Sequence, residues 1–216
     1  SNSHPTQTLL DLMTIKEIKH SLDNLKIALV GDLRYGRTTH SLLQSFKHYN
    51  IEVYLVSPEN LKMPQWRIKD FKKNIITTQD LKKTIKQVDV LYMTRIQRER
   101  FPKGPEGELE YKKVSGIYKI TKEILTQAKK DLIILHPLPR CKHDIEIHPE
   151  VDQTNHAKYF EQAKNGMYMR QAILLKILNK ELKGKQPQKQ KQENLWIDLP
   201  IKNGQKIGKN FLYKLK

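Results

Sequence analysis

Two apolar rhythms alternate along most of this chain. Over residues 4–20, Leu9, Leu12, Met13 and Lys16 follow a helical period behind Pro5, a residue that suits a first turn. Lys26-Ile27-Ala28-Leu29-Val30 is then a short apolar run of the kind that forms a buried strand, and the turn Gly31-Asp32-Leu33-Arg34-Tyr35-Gly36 follows it. Residues 38–48 return to helical spacing, with Leu42, Leu43 and Phe46 on one face. Strands are expected at 52–56, weakly at 74–76, at 88–93 and at 132–135. Helices are expected at 78–86 with Thr78 as N-cap, at 121–129 with Thr121 as N-cap, and at 165–182 with Ala172, Leu175 and Leu178 on one face. The connection 94–120 carries Pro102, Gly104, Pro105, Gly107 and Gly116 and reads as a long loop, functional or disordered. Strands alternating with helices predict an α/β fold, a doubly wound parallel sheet flanked by helices. There is no internal repeat.

Composition changes this picture at one end. The 216 residues are 38% hydrophobic and carry a net charge of +17. The segment 183–216 holds nine lysines against Glu193 and Asp198, so it supplies +7 of that charge. Its first part is almost entirely Lys, Gln, Gly and Pro, which cannot bury enough apolar area to fold. It reads as a basic, low-complexity, disordered tail, and nucleic-acid binding is the weaker reading of its charge. No apolar stretch reaches the length of a membrane span and no signal peptide is visible. The single Cys141 excludes an internal disulfide framework and fits a reducing compartment, so a cytoplasmic protein is expected.

Candidate chemistry lies at the ends of the predicted strands, where ligands bind in open parallel sheets. Arg37 follows the turn after the first strand and stands at the start of a helix, whose N–H groups and dipole already favour an anion. Arg95 follows the fourth strand within Thr94-Arg95-Ile96-Gln97-Arg98-Glu99-Arg100, and in an extended segment Arg95 and Gln97 point the same way. Two guanidiniums so placed suit a small dicarboxylate. Arg98 and Arg100 are expected to be exposed or paired with Glu99. His4 and Gln7 put an imidazole and an amide within one turn, both able to bond a carbonyl or amide. In His136-Pro137-Leu138-Pro139-Arg140 the prolines stop the strand and leave backbone carbonyls to accept bonds from amines. Gly31 and Gly36 lack dinucleotide-fingerprint spacing, there is no P-loop lysine motif, and Cys141, His143, Asp144 and His148 match no standard zinc pattern.

In this order the segments closely resemble the catalytic chain of the aspartate carbamoyltransferase family. The matching stretches are His4-Pro5-Thr6-Gln7-Thr8-Leu9-Leu10-Asp11-Leu12, Gly31 to Thr38, Tyr92 to Arg100, His136 to Arg140, and Tyr159 to Ala172. The sister ornithine family has Ser-Met-Gly in place of Thr94-Arg95-Ile96-Gln97 and His-Cys-Leu-Pro in place of His136-Pro137-Leu138-Pro139, and is the weaker match. An ornithine amine would also be repelled by Arg95.

The resemblance implies transfer of a carbamoyl group from carbamoyl phosphate to the amine of L-aspartate, without metal or cofactor. It implies that Arg37, beside Thr38, grips the α-carboxylate, that Arg95 grips the β-carboxylate, and that Gln97 helps place the amino-acid end. It implies that His4 and Gln7 contact the carbamoyl group, and that Pro137, Leu138 and Pro139 meet the reacting amines through their backbone. By the same resemblance, 1–20 is an interdomain helix, 21–164 the aspartate-binding domain, 165–182 a C-terminal helix and 183–216 a tail outside the family pattern. The family's carbamoyl-phosphate half, with its Ser-Thr-Arg-Thr loop, would precede His4 and is not within these residues. With that half the family expectation is a homotrimer, joined by regulatory chains or fused pyrimidine-pathway domains. The competing class is a non-catalytic aspartate-binding or regulatory module whose basic tail meets an acidic partner.

Overall fold

A computed structural model describes residues 3–69, 71, 74–140 and 145–182. The tail 183–216, Cys141, His143 and Asp144 lie outside the described residues. Five parallel strands, β1 (Leu25–Val30), β2 (Ile51–Val56), β3 (Ile75–Thr78), β4 (Val90–Met93) and β5 (Ile133–Leu135), form one sheet in the order β3-β2-β1-β4-β5. The expected doubly wound sheet is therefore present. Its inner strands are almost wholly apolar because helices cover both faces. β3, at the sheet's edge, mixes Ile75 and Ile76 with Thr77 and Thr78, and that is why its sequence signal is weak.

Alternate residues of the inner strands serve two cores. Ile27 and Leu29 of β1 join Tyr92 of β4 against the helices α1 (Pro5–Lys19), α2 (Arg37–Phe46) and the long α7 (Tyr159–Leu182). Ala28, Val30, Leu91 and Met93 point to the other face, toward Leu81 and Ile85 of α4 (Leu81–Ile85) and Ile124 and Leu125 of α6 (Lys122–Leu125). A single turn, α3 (Gln65–Ile68), lies between β2 and β3.

Three expectations are corrected. The N-cap of α4 is Asp80, not Thr78: Asp80 Oδ1 accepts from Lys83 N at 2.8 Å, while Thr78 ends β3. The long connection 94–120 contains α5 (Pro105–Val114), with Pro105 at its first turn, Glu106 and Glu108 near its positive end and Lys112 and Lys113 near its negative end. The last helix begins at Tyr159, not at residue 165, and packs through Tyr159, Gln162, Asn165 and Met169. Leu175 and Leu178 lie on its exposed side. Thr121 does cap α6, its Oγ1 accepting from Ile124 N at 3.4 Å.

Candidate functional site

The strand order places the site. From β1 the chain winds outward to β2 and β3, then returns to β4 and β5 on the other side. The reversal between β1 and β4 is a topological switch point, the place where open α/β sheets bind ligands at the carboxyl ends of their strands. Arg37 follows β1 and Arg95 follows β4, so the two arginines stand on the two segments that leave the switch point. His136 follows β5, the next strand over.

Close backbone contact joins the β1 and β4 loops. Gly31 sits at φ +108°, and a Cβ there would lie 2.4 Å from the Thr94 carbonyl oxygen. Thr94 in turn donates from N and Oγ1 to Val30 O, both at 2.9 Å. Asp32, fully buried, accepts from Tyr35 N at 2.8 Å, and the amides of Arg34 and Gln97 also face it. Burial raises its carboxyl to about 6 against those bonds. One carboxylate thus ties the turn that precedes Arg37 to the loop that holds Arg95.

Arg37 is the first residue of α2 and is exposed, with Thr38 half-buried beside it. Arg95 is half-buried and holds Glu99 through both nitrogens of its fork, Nη1 to Oε2 at 3.3 Å. Arg98 and Arg100 are exposed, as expected: Arg98 bonds Glu108 at 2.8 Å, and Arg100 Nε donates to Gln97 Oε1 at 3.2 Å. The Arg95 guanidinium is therefore already presented in a geometry that grips a carboxylate.

His4 is the N-cap of α1, its Nδ1 accepting from Gln7 N at 3.3 Å, while His4 N donates to Ser41 Oγ of α2 at 2.8 Å. With Nδ1 as acceptor, the ring proton of a neutral imidazole sits on Nε2, away from the helix end. Gln7 Nε2 donates to Asp11 Oδ1 at 2.9 Å. At the end of β5, buried His136 accepts from Leu138 N on Nδ1 at 2.8 Å and meets Glu146 Oε1 through Nε2 at 2.8 Å. Its ring thereby holds Leu138 at φ +52°, with the Leu138–Pro139 peptide cis. Arg140 forms a bidentate pair with Asp152 at 2.7 and 2.9 Å.

Asp11, Asp32, Gln162 and Glu146 were not singled out as site residues from the sequence, yet each holds a predicted site segment in place. Asp11 had a visible signal, a lone acid among Leu10, Leu12 and Met13 one turn after Gln7. Among the described residues no three His, Cys, Asp or Glu stand together as a metal cluster, and no helix is long and apolar enough to cross a membrane.

These features define an α/β domain with an arginine on each of the two segments that leave its switch point. The model of the aspartate/ornithine carbamoyltransferase Asp/Orn-binding domain matches residues 23–177, and the chain belongs to that family. It is 50% identical over 177 residues, 81% of its length, to the aspartate carbamoyltransferase catalytic subunit of Thermococcus onnurineus. It matches the catalytic subunit of M. jannaschii aspartate transcarbamoylase with TM-score 0.73 and 46% identity, covering 83% of this chain and 57% of that one. It matches aspartate transcarbamoylase from Trypanosoma cruzi, solved with carbamoyl phosphate and aspartate, with TM-score 0.69 and 37% identity over 80% of this chain and 54% of that one. The chain spans about half the length of the curated relatives it matches, 55% of the Thermococcus protein.

Proposed function

We propose that these residues form the aspartate-binding part of an aspartate carbamoyltransferase, acting in pyrimidine biosynthesis. The observation that carries the reading is the placement of Arg37 and Arg95 on the two strands that flank the switch point. An ornithine side chain would meet Arg95 with like charge, so aspartate is the substrate. Arg37 binds the α-carboxylate at the start of α2, where Thr38 and the helix amides add to the positive field. Arg95 binds the β-carboxylate, and Gln97 helps orient the amino-acid end.

Carbamoyl phosphate lies against α1. His4 Nε2–H donates to the carbamoyl oxygen and polarises the carbonyl, and Gln7 contacts the carbamoyl amide. The backbone carbonyls around Pro137, Leu138 and Pro139 accept from the aspartate amine and the carbamoyl NH2. The amine attacks the carbamoyl carbon, a C–N bond forms, the C–O bond to phosphate breaks, and the proton that the amine gives up goes to the departing phosphate. The catalytic work is positioning and stabilisation of the oxygen charge that develops during attack. α1 serves as the connection to the carbamoyl-phosphate half, and the assembled enzyme is a trimer.

The test uses the full product of the gene that encodes these residues. Carbamoyl-aspartate formation from carbamoyl phosphate and L-aspartate, with succinate binding in calorimetry, is expected. A folded protein that binds neither aspartate nor succinate refutes the reading. Dicarboxylate binding without turnover would instead make it a non-catalytic module.

A further inference from the structure

Asp11 is fully buried in the middle of α1, between Leu10 and Leu12. A buried carboxylate is costly unless its bonds are made. Its Oδ1 accepts from Gln7 Nε2 at 2.9 Å and from Gln162 Nε2 of α7 at 2.6 Å. The Tyr92 phenol of β4 faces the same carboxylate without a well-formed bond, for Asp11 Oδ2 and Tyr92 Oη are both buried without a hydrogen-bond partner. Thr38 lies against Tyr92 Oη from α2. Gln162 turns its other end to β5, where Oε1 accepts from His136 N at 2.8 Å. Every neighbour of this carboxylate thus belongs to a segment that reaches the site, or bonds to one that does.

An ionised carboxylate can only accept. Each partner must therefore offer it a donor, and each amide is turned by that demand. Gln162 shows the result, with Nε2 toward Asp11 and Oε1 toward the His136 amide. Gln7 obeys the same constraint, so its Oε1 is the end left for a ligand. We propose that Asp11 is a positioning residue for the carbamoyl end of the site: its carboxylate fixes the Gln7 amide so that Oε1 accepts from the carbamoyl NH2. This rests on the carbamoyltransferase reading above.

Burial raises the Asp11 carboxyl to about 7 against the lowering effect of Gln162, Gln7 and Tyr92. The ionised carboxylate that orients the amides is therefore the form present above about pH 7. The titratable group facing it is Tyr92, itself held neutral, its ionisation pushed far up by burial and by the Asp11 charge. The neighbours from α1, α2 and α7 are the uncharged Gln7, Thr38 and Gln162.

Two measurements on the full gene product test this. In protein labelled with 15N-glutamine, the side-chain resonances of Gln7 and Gln162 should titrate together, with one midpoint near 7. In Asp11→Asn, which both donates and accepts, that titration should vanish, and the KM for carbamoyl phosphate at pH 8 should rise by about tenfold or more, the loss of one charge-assisted bond. The KM for aspartate, set by Arg37 and Arg95, should move less than about twofold. Leu10→Ala loosens the same helix without touching the carboxylate and should leave both KM values in place. Separate titration of the two glutamines overturns the proposal, as does an unchanged carbamoyl phosphate KM in an active Asp11→Asn enzyme. If wild type shows the joint titration but no turnover, the carbamoyltransferase reading fails and takes the proposed role with it.

Discussion

The two faces of the sheet are built on different terms. The face covered by α4 and α6 is mainly apolar: Ala28, Val30, Leu91, Met93 and Ile134 meet Leu81, Ile85, Ile124 and Leu125, with Thr84 the polar side chain that α4 buries there. The face covered by α1, α2 and α7 has an apolar core too, but polar groups run through it: Asp11, Thr14, Thr39, His40, Gln162 and Asn165 are all buried there. Asn165 Nδ2 reaches Thr14 Oγ1 at 3.0 Å and Glu17 Oε2 at 2.7 Å, so the α1–α7 contact is a hydrogen-bonded seam as well as an apolar one. Apolar packing tolerates sliding, whereas hydrogen bonds fix register and orientation. The polar face therefore carries the segments that must be aimed, and the apolar face supplies rigidity.

The largest expected effect separates the faces by pH. The Asp11 carboxyl keeps its proton in the fold until about pH 7, whereas the unfolded chain releases it near the ordinary value of 3.8. Between those limits the folded state binds more protons, so wild type should lose stability relative to Asp11→Asn as the pH rises through that window. About three units correspond to about 4 kcal/mol, and denaturant unfolding at pH 4 and pH 7.5 measures the difference. A constant gap between the two proteins would show that this buried acid does not distinguish the faces.

On the apolar face, Leu91→Ala should cost about 2–5 kcal/mol in unfolding, independent of pH, because Leu91 is fully buried between Ala28 and Ile134. Succinate affinity of the folded fraction should not change, and a specific loss there would break the division of labour. Next, Arg37→Lys and Arg95→Lys each exchange a planar fork for a point charge. Each should weaken succinate binding in calorimetry by about tenfold, the worth of a charge-assisted bond of about 1.5 kcal/mol, with the melting temperature in place. The smallest effect belongs to Asp80→Ala, which removes the cap of α4. It should cost about 1 kcal/mol of stability and leave both substrates' binding unchanged.

Legibility in the sequence followed the same division. Apolar runs such as Ile27-Ala28-Leu29-Val30 mark a strand buried on both sides, and the sheet was readable from them. The positions of Arg37 and Arg95 beyond β1 and β4 were readable because they stand just past such runs. Helix α5 was hidden because Pro105 and Gly107 look like loop residues, although Pro105 belongs to a first turn and the flanking charges agree with a helix dipole. The start of α7 was missed because its inward side is Tyr159, Gln162 and Asn165, too polar to count as an apolar stripe. Asp11 was hidden for a related reason: Asp11 and Gln162 lie 151 positions apart, and no local pattern encodes that bond.

Gly31 works as a gauge block. With no side chain between them, the β1 and β4 loops meet backbone to backbone at Gly31 and Thr94. Any larger residue would wedge the loops apart and carry Arg37 away from Arg95. The two loops that bear Arg37 and Arg95 are thus held at one spacing by a methyl group that is not there.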